Sequence, residues 1–170
     1  MAKTEVVLAA LRKMDASINS LGRKANAGSA MVSSAALDRT LERAITTKLV
    51  PLNHEIRDRL FGERGALGTF GAKIDLAFAL GLADRETHKN LTAIRKIRNL
   101  FAHSDKTLSF ESKSVRDLLA KAPGVSASVP SITEFNEIVD LADKSITSAA
   151  GIPSLWVRPG TPKPAQSREA

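Results

Sequence analysis

Apolar residues return at spacings of three and four along most of this chain, and such spacings predict one helix after another. Val7, Leu11, Met14, Ile18 and Leu21 line one face of a helix over 4–24. Gly22 and the run Asn26-Ala27-Gly28-Ser29 loosen the chain after it. A second helix over 30–49 has Leu37, Leu41, Ala44 and Ile45 as its dry stripe, and Asp38, Arg39, Glu42 and Arg43 as its wet face. Pro51 stops it, because the residue before a proline disfavours helical backbone. A shorter helix over 53–61 follows, with Leu52, Ile56 and Leu60 four residues apart. Gly62, Gly65 and Gly68 mark a loop.

The densest apolar stretch comes next. Thr69 is placed to cap a helix over 70–82, which Ile74, Leu76, Ala77, Phe78, Ala79, Leu80 and Leu82 surround with apolar surface. A helix apolar on nearly every side predicts the buried centre of a bundle. Gly81 or the Ala83-Asp84 step ends it, and Asp84 is placed to cap a helix over 85–104. Asp105 to Ser109 reads as a loop, and a short helix over 113–121 ends at Pro123-Gly124. Ser131-Ile132-Thr133-Glu134 reads as a capping box. Phe135, Ile138, Val139, Ala142 and Ile146 form the face of a last helix over 132–149, with Gly151 suited to stop it. The four prolines from residue 152 onward predict a disordered tail over 152–170. Leu155 and Trp156 stand out within it, and either pack back on the core or anchor a partner. No strand, internal repeat or second domain is apparent. The pattern predicts an all-α, single-domain bundle of about six to seven helices over 1–151.

Composition narrows the function. The absence of Cys excludes a disulfide framework, a thiol nucleophile and a Cys-ligated zinc site. The three His are scattered, which argues against a metal centre, and the glycine loop lacks the Gly-Lys-Ser/Thr of a phosphate loop. No metal or cofactor is expected. No signal peptide and no membrane-spanning run are read, so the expected location is the cytoplasm. A net charge of +7 favours polyanionic or acidic partners. Six Phe, one Trp and no Tyr argue against an aromatic stacking surface for single-stranded nucleic acid.

The candidate chemistry lies at the end of the helix over 85–104. At 100° per residue, Leu91, Ile94, Ile97 and Phe101 form one stripe, and Arg98 falls inside it. Thr92, Asn99 and His103 fall on the opposite side, flanked by Arg95 and Lys96 as candidate phosphate or polyanion contacts. Two readings follow. In one, Arg98 makes a core ion pair with Asp75, and His103 sits at the helix C-terminus where its charge suits the dipole. In the other, the cluster cleaves phosphodiesters without a metal. His103 is the acid–base on a ribose 2′-hydroxyl and Arg98 holds the phosphate. Arg98 and His103 point about 140° apart on one helix, so this reading needs a helix end between them or a second subunit.

The stretch GTFGAKIDLAFALGLADRETHKNLTAIRKIRNLFAHS, residues 68–104, strongly resembles the mannitol operon repressor family of small all-helical bacterial proteins. The matching pieces are Gly-Thr-Phe before Ala72-Lys73-Ile74, the run Leu76 to Leu82, and Ile94 to Asn99 through Phe101-Ala102-His103-Ser104. The resemblance implies an all-α fold and a transcriptional regulator. With no helix-turn-helix in view, it implies action through protein contacts and not direct DNA reading. The run from Arg98 to His103 also resembles the Arg-x-x-x-x-His motif of the HEPN superfamily, whose members include metal-independent ribonucleases and toxins. That resemblance implies Arg98 as phosphate ligand, Asn99 as supporting polar residue, His103 as acid–base, and a homodimer that brings two motifs together.

Three functions are therefore expected in turn. The first is a regulator of the mannitol-repressor type that works through oligomerisation and protein partners. The second is a HEPN-like ribonuclease or toxin acting on RNA, within a regulatory or toxin–antitoxin complex. The third is a non-catalytic helical scaffold.

Overall fold

The computed structural model describes residues 2–104, 108–124 and 131–154, and the side chains of residues 2–11, 16, 18, 19 and 23 are not among those described. Six helices make up the described chain: α1 (Ala2–Thr46), α2 (His54–Phe61), α3 (Phe70–Ala79), α4 (Arg85–His103), α5 (Lys113–Leu119) and α6 (Ser131–Ala150). No strand occurs among the described residues. The all-α bundle expected from the pattern is what the chain forms.

Helix α1 corrects one expected boundary. It runs unbroken through Gly22 and Gly28, so the two predicted helices are one, about 68 Å long. A glycine inside a helix costs only about 1 kcal/mol relative to alanine, too little to break a helix that propagates from both sides. Neither glycine admits a close neighbour, since a Cβ there would meet nothing within 4 Å. The core begins at Ala30 and continues through Leu37, Leu41, Ala44 and Ile45. Every described side chain from Arg12 to Ser29 is exposed or half-buried.

The centre of the bundle is α4, not α3. Helix α4 packs against α1, α3, α5 and α6, and it buries Leu91, Ile94 and Ile97 completely. The buried faces of α1 and α6 close over it, with Phe135, Ile138, Val139 and Ile146 from α6. Helix α3 lies on one side and buries only Lys73, Ile74 and Ala77, leaving Phe78 and Leu80 about 40% exposed. Apolar composition set the expectation of a central α3. The short element is instead held by one face because α1 and α4 already supply the walls of the core.

The ends of these helices follow local chemistry. The Thr69 hydroxyl accepts from Ala72 N–H and the Asp84 carboxylate from Thr87 N–H, as predicted. Gly81 and Gly151 both take positive φ, near 71° and 64°. Each closes its helix with a pair of bonds, Leu82 N–H to Ala77 C=O with Gly81 N–H to Phe78 C=O, and Ile152 N–H to Thr147 C=O with Gly151 N–H to Ser148 C=O. The capping box is not formed. Ser131 lies within α6 and its hydroxyl donates to Glu111, while Glu134 is buried. Burial, then the nearby Glu137 and Glu111 charges, pushes the Glu134 carboxyl above its ordinary range. The expected tail begins later than residue 152. Ile152 packs against the core and the Pro153 carbonyl accepts from Arg43 at 3.2 Å, so the chain is still held there by contacts that composition does not reveal. The rest of the tail, with Leu155 and Trp156, lies outside the described residues.

Candidate functional site

Helix α4 is amphipathic, and its wet side is the side that carries the predicted chemistry. Its capped N-terminus and its buried Thr87, Asn90, Leu91, Ala93, Ile94 and Ile97 fix the rotation of the helix. That rotation turns Lys89, Lys96 and His103 to solvent. Helix α5 then packs beside this face through Val115 and Leu119, leaving a groove between the two helices.

The groove has a volume of about 790 Å³ and is lined by Lys96, Asn99, Leu100, His103, Ser104, Ser114 and Leu118. Asn99 and His103 therefore share one cleft, as their i, i+4 spacing predicts. A second hollow of about 390 Å³, lined by His88, Lys89, Thr92, Ala93, Lys96, Leu118 and Lys121, adjoins it. Among the described residues, none that lines either hollow is acidic. Unopposed lysines in a cleft with apolar walls give it a positive potential.

Arg98 is not where the stripe placed it. It is exposed, and its Nη1 donates to Asn99 Oδ1 at 3.0 Å. The expected core ion pair with Asp75 does not form. The Asp75 side chain is 79% exposed and its Oδ1 lies 3.3 Å from His88 Nε2. Leu91, two turns earlier on the same angular track, is walled in. At the level of Arg98 the neighbouring elements leave a cavity of about 620 Å³, lined by Met31, Ser34, Asp38, Gly68, Thr69, Phe70 and Arg98, among others. Arg98 thus opens on one cavity and His103 on another, and Asn99 links them through its bond to the guanidinium.

Of the two flanking cations, only Lys96 lines the groove. Arg95 is half-buried and lies against α3, where a Cβ on Gly71 would come within 3.1 Å of its Nη1. Lys89 and Lys121 line the groove but were not singled out in the sequence. Lys89 is on α4 and Lys121 lies across from it, just beyond the end of α5, so only packing brings them together. His88 is partnered by Asp75 and its ring centroid lies 4.8 Å from that of Phe78.

The cation that the core does take in is Lys73. Its side chain is 4% exposed, with Nζ 2.8 Å from Asp38 Oδ2 and 3.4 Å from Glu42 Oε2. Arg57 reaches the other Glu42 oxygen at 2.8 Å. This network joins α1, α2 and α3. A buried carboxylate, Asp143, does the same for α1 and α6, accepting from Thr40 at 2.9 Å and from Ser154. Among the described residues no three His, Asp or Glu stand together as a metal-binding group, and no helix is long and apolar enough to cross a membrane.

Comparison of the chain with family models, with curated proteins and with solved structures finds no match. The functional reading rests on the geometry of this groove and on the motif that ends α4.

Proposed function

We propose that this protein cleaves RNA at the C-terminal end of α4, as a metal-independent endoribonuclease of the Arg-x-x-x-x-His type. One observation carries the reading: Asn99 and His103 line the same open groove as Lys96, with no acid among its described lining residues, and Arg98 is hydrogen-bonded to Asn99. An imidazole in such a groove takes the proton from a ribose 2′-hydroxyl. The 2′-oxygen then attacks phosphorus, the P–O5′ bond breaks, and the leaving oxygen receives a proton from an imidazolium. The products are a 2′,3′-cyclic phosphate and a free 5′-hydroxyl. A guanidinium and an ammonium stabilise the charge that builds on the phosphoryl oxygens. Arg98 lines a neighbouring cavity of its own chain, which supports an active unit in which a second copy brings its Arg98 to the groove.

Structured RNA incubated in EDTA tests this reading. Wild-type protein is expected to cut it, and His103→Ala or Arg98→Ala to cut it at least about 100-fold more slowly. An intact substrate with wild-type protein overturns the reading.

A second reading, a regulator of the mannitol-repressor type that works through protein contacts, is favoured by a different feature. Met14 and Leu21, 59% and 67% exposed, stand on the part of α1 that lies outside the core. Apolar side chains seven residues apart on a projecting helix suit pairing with another helix.

A further inference from the structure

We infer that the groove between α4 and α5 is a track for single-stranded RNA, held by Lys89, Lys96 and Lys121 and leading to His103. The inference rests on the ribonuclease reading and extends it to the way the strand is bound.

The two hollows share Lys96 and Leu118, so they lie side by side along the channel between the helices. Lys89, Lys96 and His103 are spaced by seven residues on α4. Seven residues are two turns, about 10.5 Å, with a drift of only about 20° around the helix. The three side chains therefore form a row about 21 Å long on one side of the helix. Lys121 stands opposite on the α5 side of the channel. None of the three lysines is in an ion pair among the described residues, and the nearby Asp117 is already bonded to Lys113 at 2.6 Å. Each lysine can therefore exchange a counterion for a phosphate.

The floor is the second half of the argument. Ala93, Leu100 and Leu118 are the apolar lining residues, beside the uncharged polar Thr92, Asn99, Ser104 and Ser114. A cationic rim over an apolar floor matches a ligand with phosphates along one edge and flat apolar faces along the other. A single strand offers both, whereas a duplex hides its base faces within the stack. Among the described residues, no Phe or Trp lines the channel, whose only rings are the His88 and His103 imidazoles, so the grip comes from phosphates and aliphatic contact. Such a floor offers little to read base edges, and binding tolerates many sequences. The row also sets a direction, because the strand must extend from the cut at His103 toward Lys89.

The test uses the full chain and a fluorescent 12-nucleotide strand with 2′-O-methyl riboses, which cannot be cleaved. Anisotropy is followed across a salt series. Three phosphate contacts predict a slope of about −2 for log affinity against log salt, from about −0.7 per contact on a single strand. In the double variant Lys89→Ala/Lys121→Ala, affinity is expected to fall at least ten-fold and the slope to shrink by about 1.4. Both lysines are exposed, and an unchanged thermal melt verifies folding. The inference is overturned if wild type does not bind the strand or if the double variant binds it as well as wild type does. It is also overturned if a duplex of equal length or a poly-glutamate peptide binds with equal affinity. Failure of the two readings is separable. Lysine-dependent strand binding without RNA cleavage retains the track and removes the ribonuclease. Cleavage with an unchanged KM in the double variant retains the ribonuclease and removes the track.

Discussion

The Lys73 ammonium has left water almost entirely, and it ends between two carboxylates of α1. A buried charge is tolerated only when paired, and here Asp38 and Glu42 keep 30% and 23% of their side-chain surface in water. Removing the cation leaves those two acids facing each other. Lys73→Ala is therefore expected to lower unfolding free energy by about 2–3 kcal/mol, less than for a fully buried pair because solvent reaches the acids. Urea unfolding at neutral pH measures it, and a loss under 0.5 kcal/mol would show that the network contributes nothing. Lys73→Met, which keeps the packing of the stem, is expected to lose less. Arg98 shows the converse. Its position in the stripe predicted a buried pair with Asp75, yet helical angle alone says nothing about where along its length a helix is covered. Asn99 and His103 were legible because i, i+4 residues share a face in any helix. Lys89 and Lys121 were not, because they lie 32 residues apart and on different elements.

At the scale of the element, α4 depends on its first turn. The Asp84 carboxylate is held below its ordinary range, first by the Thr87 N–H, then by the Thr87 hydroxyl and the Glu86 N–H. A carboxyl lowered on folding stabilises the protein above its unfolded pKa, and that contribution is lost as pH falls through the folded value. Asp84→Ala is expected to cost about 1 kcal/mol at pH 7, the usual worth of an N-cap. The difference from wild type should shrink as pH drops below 3.8, the ordinary aspartate value. Asp84→Asn, which keeps the acceptor without the charge, should show no such pH dependence. Thermal melts of the three proteins between pH 2.5 and 7 check both claims, and a constant gap between wild type and Asp84→Ala sinks the second. Caps and stops of this kind were readable in the sequence because each is decided within five residues. The predicted break near Gly22 was not a stop, since no proline and no closing pair of bonds accompanies it.

At the scale of the whole molecule, α1 is much longer than the core it joins. None of its described side chains before Ala30 is buried, and Met14 and Leu21 are well exposed. The protein-contact reading expects a dimer in sedimentation equilibrium, and a monomer when Met14→Glu and Leu21→Glu are combined. Wild-type protein that is monomeric at every concentration removes that reading and leaves the groove without a second Arg98. By itself the sequence determined the all-α class, most helix boundaries, the caps at Thr69 and Asp84, and the shared face of Asn99 and His103. All of these follow from backbone hydrogen bonding and side-chain period over a few residues. Only the tertiary structure decided that α4 and not α3 is central, and that Lys73 and not Arg98 is the buried cation. It also decided that α5 turns the wet face of α4 into a basic groove. These outcomes depend on which surfaces meet across the bundle, and the periodicity of a single helix carries no information about the helix packed against it.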